Sequence, residues 1–449
     1  MTERTSLKHA GSIVSRRTSW YTSKTPVGPF HECMSAIPPA LSLKIRVTRG
    51  QRESSINIDQ GQLEKESATL VLLPRAGVRS PEEDRATLKF LKAEQKMTIS
   101  RREFLGSAAL LAVPPQEAPP LRLGMLGMWH SHAEGIVRRV AENPKEFALV
   151  GFFDPDPEVV AAKRKRWEPL IPGFRVFEKP EQLLAEKLDG VVVDGRVDRN
   201  LKMARMALES GRPVMLEKPA GDNLDEHRKL VALAREKKLH LQMIYLFRYM
   251  SAVQEMLKRA RKGEFGRIYE FRARLAKDLS SYARNVEECG RYKGGIFFEM
   301  AGHAIDMMVG VLGKPASISP SLAHHSTGEP AGFIDDGVTV FGFERAWGII
   351  EVPALEVVPH QRRFEIYGTG GACIIPHLGS GHLANKDIQP IDVCSAGGEW
   401  KRIELPVATL QIADLHEFAA VVRGQKAPDF DLDHDLAVQE ALLRACGMA

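Results

Sequence analysis

Three residues carry the chemistry this sequence best supports: Lys218, Glu299 and His303. Lys218 stands in the turn Glu217-Lys218-Pro219, directly after the apolar run Pro213-Val-Met-Leu216. The following proline disfavours helix at Lys218 and keeps the chain extended. An ammonium held there can stabilise an alkoxide as its charge develops. Glu299 and His303 are four residues apart, so on a helix they share a face. A carboxylate beside an imidazole is expected to raise the histidine pKa and to orient its ring, Glu299 acting as the tuner of His303. A histidine near neutrality suits the removal or return of a hydroxyl proton. Asp306, three residues further on, is expected to add to this face. Before the helix, the aperiodic stretch Lys277–Lys293 holds Tyr282, Arg284 and Tyr292, and reads as a loop that covers a substrate. Gly294-Gly295 then turns the chain into the helix.

The elements that must position these residues are legible from periodicity. Leu121–Leu126 reads as a buried strand ended by Gly127, followed by a helix over about Ala133–Asn143. A second strand, Ala148–Phe153, runs into Asp154-Pro155. In such a βαβ unit the glycine turn brings backbone N–H groups to a pyrophosphate at the helix N-terminus. The acid at the end of the second strand accepts from the ribose hydroxyls and favours NAD over NADP. The glycine fingerprint is incomplete: Gly127 is present, but Trp129 and His132 occupy its other two positions. His130, Ser131 and His132 supply hydrogen-bonding groups instead. The alternation continues through strands at Lys187–Asp194, Pro213–Leu216 and Leu239–Tyr245 and helices at Asn200–Ser210 and Asp222–Lys238. Repeated βα units with short connections imply a parallel, doubly wound sheet, whose ligands bind at the carboxyl ends of the strands. Lys218 stands at one such end.

From Gly266 onward the pattern turns to strands: Arg267–Arg274, Ala316–Ala323, Gly337–Phe343, Trp347–Val352, Arg362–Tyr367 and Ala372–Pro376. Helices are expected at Leu415–Arg423, with Asp414 and His416 as helix-start residues, and at Asp433–Ala445. The fold class expected is α/β, a Rossmann domain over residues 120–245 and a second α/β domain with a large, mostly antiparallel sheet over 246–449.

The E-K-P turn, about ninety residues after the glycine turn, is followed far downstream by Gly294-Gly295-Ile-Phe-Phe-Glu299-Met-Ala-Gly-His303-Ala-Ile-Asp306. Together they resemble the glucose–fructose oxidoreductase/inositol dehydrogenase (Gfo/Idh/MocA) family. Asp189-Gly-Val-Val-Val, Ser210-Gly-Arg-Pro-Val-Met-Leu-Glu-Lys-Pro219 and Phe364-Glu-Ile-Tyr-Gly-Thr-Gly-Gly371 are similar to it as well. The resemblance covers about residues 121–446. It implies a nicotinamide-dependent oxidoreductase acting on a CH–OH group of a sugar, polyol or related compound. In that family the cofactor takes the hydride. By this likeness Lys218 contacts substrate and nicotinamide, and His303 is the acid/base. Glu299 stands where the family usually has Asp, and Asn200 where many members have His. The cofactor, NAD in preference to NADP and tightly bound, is expected on Gly127, Trp129, His130, His132, Asp154, Glu217 and Lys218. Substrate contacts are expected from Arg248, Tyr282, Tyr292 and Asp306. A homo-oligomer assembled through the C-terminal sheet is implied too. Two alternatives stand beside this reading: a glycosidase that oxidises its sugar transiently with NAD, and a redox-silent binding protein on the same fold.

Composition narrows the field. The chain has 449 residues, 44% apolar and 27% charged, with a formal net charge of +5. Residues 1–96 carry 16 lysines and arginines against 10 acids, so the remainder is close to neutral and offers no basic excess for a phosphate backbone. Nucleic acid is therefore not an expected partner. The five cysteines, Cys33, Cys289, Cys373, Cys394 and Cys446, are scattered without a C-x-x-C pair. His324-His325, His377 and His382 lack ligand spacing, and no metal is expected. Residues 1–96 read as an extension without sustained patterning, apart from Leu70–Leu73 and a weak helix near Glu82–Lys96. Residues 97–119 resemble a twin-arginine export signal: Arg101-Arg102, then a short apolar run, then a proline-rich linker. The run is too short to span a bilayer. If translation starts at Met97, the protein is expected to be exported with its cofactor already bound; otherwise it is expected to be cytoplasmic.

Overall fold

The computed structural model describes residues 41–49, 52–57, 68–74, 118–278, 286–326, 332–356, 360–378 and 387–449, the first three segments as backbone only. The chain divides into two units, residues 1–117 and 118–449. In the first, β1 (Leu41–Arg49) lies between β2 (Arg52–Asn57) and β3 (Ala68–Pro74) in an antiparallel sheet. β3 contains the apolar run Leu70–Leu73 seen in the sequence. The helix expected near Glu82–Lys96 and the twin-arginine-like segment lie outside the described residues.

The second unit opens with a five-stranded parallel sheet in the order β5-β4-β6-β7-β8. Its strands are β4 (Leu121–Leu126), β5 (Phe147–Phe153), β6 (Gly190–Val193), β7 (Val214–Glu217) and β8 (Leu241–Ile244). The last three are buried at every position, which is why they read as unbroken apolar runs rather than alternating ones. Helices α1 (Ser131–Glu142), α2 (Pro157–Trp167), α3 (Pro180–Leu184), α4 (Val197–Glu209) and α5 (Leu224–Lys237) connect them. The strand order reverses at β4, so the crevice beside that strand is the ligand position expected of a doubly wound sheet.

A 3₁₀ turn (Leu246–Tyr249) and α6 (Ser251–Arg261) lead into an eight-stranded sheet, order β10-β11-β12-β9-β13-β14-β15-β16. These strands are β9 (Ile268–Leu275), β10 (Ser317–Ala323), β11 (Asp336–Gly342), β12 (Trp347–Glu351), β13 (Arg362–Gly368), β14 (Gly371–Ile375), β15 (Ile388–Ser395) and β16 (Lys401–Pro406). All neighbours are antiparallel except the β12–β9 pair. Against this sheet packs α7 (Gly295–Leu312), which carries Glu299, His303 and Asp306 and is buried from Gly295 to Val309. Among the described residues it alone is long and apolar enough to cross a membrane, and it is a core helix of this unit. Gly295 makes its entry possible: φ is +49°, and a Cβ there would stand 2.4 Å from the Ile334 carbonyl oxygen.

Two C-terminal helices reach back across the boundary drawn at residue 246. α8 (Leu410–Val422) buries Leu415, Phe418 and Ala419 in the core of the parallel sheet, and α9 (Leu432–Ala445) packs on α7 and α5. α8 starts at Leu410, not at Asp414. Asp414 is buried inside the helix, where its carboxylate accepts from Gln242 Nε2 at 2.7 Å.

Candidate functional site

The carboxyl ends of the parallel strands gather the site. Gly127, after β4, has φ +84°, and a Cβ on it would lie 2.3 Å from the backbone nitrogen of Gly195 beyond β6. Glycine is required for the two strand ends to come so close. The next residue, Met128, donates its N–H to Asp154 Oδ2 at 2.7 Å, and Asp156 N–H donates to Oδ1 at 2.9 Å. Asp154 is thus fixed one residue beyond β5, half-buried, its pKa raised by burial. His130 is the N-cap of α1. Trp129 is half-buried and carries the Arg196 guanidinium over its ring at 5.0 Å. Arg196 Nη1 in turn donates to Glu288 Oε2 at 2.7 Å, which bridges the end of β6 to the segment before α7.

Lys218 follows β7 across a cis peptide bond to Pro219. Its ammonium is buried and donates to Glu299 Oε1 at 2.7 Å and to the Glu299 carbonyl at 3.1 Å. Burial opposes the charge, but the Glu299 and Glu217 carboxylates outweigh it and hold the Lys218 pKa above its usual value. Glu299 is held well below the usual carboxylate range: burial works the other way, and the Lys218 charge overrides it. The pair therefore stays ionised.

His303 lies one turn along α7. Its ring stacks on Phe247 at 4.3 Å and meets Tyr245 edge-on at 5.8 Å. Glu299 does push its pKa up, as expected, but other causes outweigh it. Burial comes first, and the Lys218 and His132 charges add to it, so the histidine sits well below 6.5 despite Glu299. Glu299 spends its carboxylate on Lys218 and lies 3.5 Å from His130 Nε2. Burial thus favours the neutral imidazole, and its buried Nδ1 has no hydrogen-bond partner.

Arg248 and Asp306, expected to contact substrate, are paired with one another. Arg248 Nε and Nη2 donate to Asp306 Oδ2 and Oδ1 at 2.9 and 2.6 Å, and Nη2 also donates to Asp435 Oδ1 at 2.5 Å. His434 Nε2 is 2.8 Å from Asp306 Oδ1. Arg248, Asp306 and Asp435 are buried. This cluster ties the 3₁₀ turn to α7 and α9, away from solvent. Tyr292 lines one cavity with Trp129, His130, Cys289 and Glu299, its ring packed on Phe298. Tyr282 and Arg284 lie outside the described residues.

The sequence reading passed over two groups. Asp194, the residue after β6, is fully buried beside His130, its Oδ1 4.0 Å from Nδ1. Its place at the end of an apolar strand was the available signal. Lys277, just beyond β9, feels burial and the charges of Arg362 and Lys218, which together bring its pKa down to about 8. A lysine after a strand carries no such signal, because its neighbours come from distant parts of the chain.

These positions can be compared with known proteins. Residues 121–245 match the oxidoreductase family with an NAD-binding Rossmann fold, and residues 253–374 match the C-terminal domain of the same family. The chain belongs to the Gfo/Idh/MocA family. The oxidoreductase YdgJ of Escherichia coli is 24% identical over 205 residues, which is 45% of this chain and 57% of that protein. The 1,5-anhydro-D-fructose reductase of Ensifer adhaerens is 25% identical over 255 residues, 55% of this chain and 74% of the reductase. In fold, the chain is similar to UDP-N-acetylglucosamine 3-dehydrogenase GnnA from Acidithiobacillus ferrooxidans. The TM-score is 0.60 at 17% identity, with 74% of this chain and 98% of that one covered.

Nicotinamide is the cofactor implied by this family, and the crevice residues fit it. Gly127 and the N-terminus of α1 stand beyond the end of β4, and Asp154 stands just past β5. Asn200 Nδ2 and His303 Nδ1 are buried polar atoms without a hydrogen-bond partner.

Proposed function

We propose that this protein transfers a hydride between a nicotinamide nucleotide and a CH–OH group of a sugar, polyol or related compound. The observation that carries the reading is the buried Lys218–Glu299 ion pair at the end of β7, set beside a histidine kept neutral. Bound nicotinamide would supply the hydride acceptor. His303, uncharged, takes the hydroxyl proton, and the Lys218 ammonium holds the oxygen as negative charge builds on it. Glu299 fixes the ammonium against rotation. Trp129, Tyr292 and the Arg196–Glu288 bridge cover the crevice and limit water. Asp154 as the ribose acceptor favours NAD over NADP. Relatives named for anhydrofructose and for UDP-N-acetylglucosamine support a carbohydrate substrate.

The test is to denature the purified protein, identify the released nucleotide, and follow nicotinamide reduction against a panel of sugars and polyols. Reduction that is lost in Lys218→Ala supports the reading; absence of any bound or bindable nicotinamide overturns it. Release of an aglycone with no net nicotinamide reduction would assign the transient-oxidation glycosidase instead.

The same reading has the enzyme exported with its cofactor from a start at Met97, which peptides from residues 1–90 in the native protein would contradict. It also has the exposed Trp347 and Tyr269 of the large sheet covered by a second copy, to be checked by light scattering.

A further inference from the structure

We propose that His130, His132 and Glu217, backed by Asp194, form a binding site for one divalent transition-metal ion of the zinc and cobalt class. The inference does not rest on the nicotinamide reading, because the site is tested by metal binding alone.

The geometry comes first. Glu217 Oε1 lies 3.0 Å from His132 Nδ1 and 3.6 Å from His130 Nδ1. One ligand atom from each of the three residues lies within 4.8 Å of the others. Zinc bonds of about 2.0–2.1 Å in a tetrahedron place neighbouring donors roughly 3.3 Å apart, so the three side chains would draw closer around an ion, and His130 Nδ1 would exchange the His132 N–H it accepts at 3.3 Å for the metal. Nitrogen and carboxylate donors are the ligand chemistry of this class of ion.

The second observation is a carboxylate with nothing to bind. Asp194 is fully buried, and neither of its oxygens has a hydrogen-bond partner. It faces the cluster, with Oδ1 4.0 Å from His130 Nδ1. Glu217 Oε2, also buried, is unpartnered too. Lys218 gives its ammonium to Glu299. Two buried carboxylates so close together repel one another, and the positive charges that act on Asp194 are those of His130, Lys163 and Lys218. A divalent ion would satisfy both.

The molecule holds its own control. Asp306, His434 and Asp435, one histidine and two aspartates, likewise bring ligand atoms within 4.8 Å of one another. There the Arg248 guanidinium already sits among the carboxylates and donates to both aspartates. That cluster is satisfied from within and has no call for an ion.

The site is also connected outward. His130 Nε2 is 3.5 Å from Glu299 Oε1. Glu299, the carboxylate that anchors Lys218, thus stands beside the far nitrogen without a hydrogen bond to it, where such a group orients a metal-binding imidazole. Occupancy would thereby bear on the lysine through one shared side chain.

The experiment is titration of the purified full-length chain with Co²⁺, read by visible absorption, and with Zn²⁺, read by calorimetry, with and without added NAD. One equivalent is expected to bind. His132→Gln and Asp194→Asn, both near-isosteric and verified as folded by their thermal transitions, are each expected to weaken binding at least about tenfold. His434→Gln is expected to leave it unchanged. The proposal is overturned if the folded wild type binds no stoichiometric ion, if His132→Gln and Asp194→Asn bind as the wild type does, or if His434→Gln is the variant that abolishes binding.

Discussion

Two buried ionic clusters stand in the second unit, each with a cation, carboxylates and histidine, and they do opposite things. Around Arg248 every charge is answered: the guanidinium donates to Asp306 and Asp435, and His434 completes the set. Around Lys218 the accounting is left open. The ammonium is tied to Glu299, but His303 Nδ1, Glu217 Oε2 and both Asp194 oxygens lack partners. A closed cluster fixes helices against one another. An open one keeps polar groups buried and waiting, which is what a site that binds and transforms a polar molecule needs.

The comparison breaks if the two cations are interchangeable in their effects. Lys218→Met is expected to lower kcat by about 10³-fold, the scale of losing one preorganised oxyanion donor, with nucleotide affinity changed much less. Steady-state kinetics and nucleotide titration check both halves. Arg248→Met is expected to act on stability instead. Removing one member of a buried pair costs about 3–5 kcal/mol, to be read by urea denaturation, while the folded fraction keeps its turnover. An Arg248 variant that folds normally and loses activity would move that residue back into the substrate site.

A third buried group sharpens the contrast because it has no partner at all. His227, on α5, is buried with neither ring nitrogen hydrogen-bonded, and burial alone takes its pKa down to about 4. Its folded pKa lies below the unfolded value of 6.5, so its contribution is complete above 6.5 and is lost as pH falls toward 4. The loss at pH 5 is about 2 kcal/mol. His227→Leu is expected to flatten that part of the stability–pH curve. An unchanged slope between pH 7 and pH 5 would show that His227 is protonated or solvated in the fold.

How much of this was legible follows the same division. The parallel strands could be read because both their faces are buried and their sequences are unbroken apolar runs, as in Gly190–Val193 and Val214–Glu217. Lys218 and Asp154 could be placed because strand ends are where a doubly wound sheet binds ligands. β15 and β16 escaped: Pro390 interrupts the first, and the second is a charged edge strand, Lys401–Pro406, with most positions exposed. The partners of Arg248 and Glu299 were hidden for a different reason. Arg248 is fixed by Asp435, 187 residues away, and Glu299 by Lys218, 81 residues away. Helical spacing showed that Glu299 and His303 share a face, but pairing across the fold decides where the carboxylate goes.

The central claim is that Lys218 and a neutral His303 together carry a nicotinamide-dependent step on a hydroxyl carbon. The most direct test is a single turnover, followed by nicotinamide absorbance, of wild type, Lys218→Ala and His303→Ala loaded with the same nucleotide and a sugar that the wild type oxidises. The account predicts that both variants hold nucleotide and reduce it at least about a hundredfold more slowly. Reduction at the wild-type rate in both would contradict it.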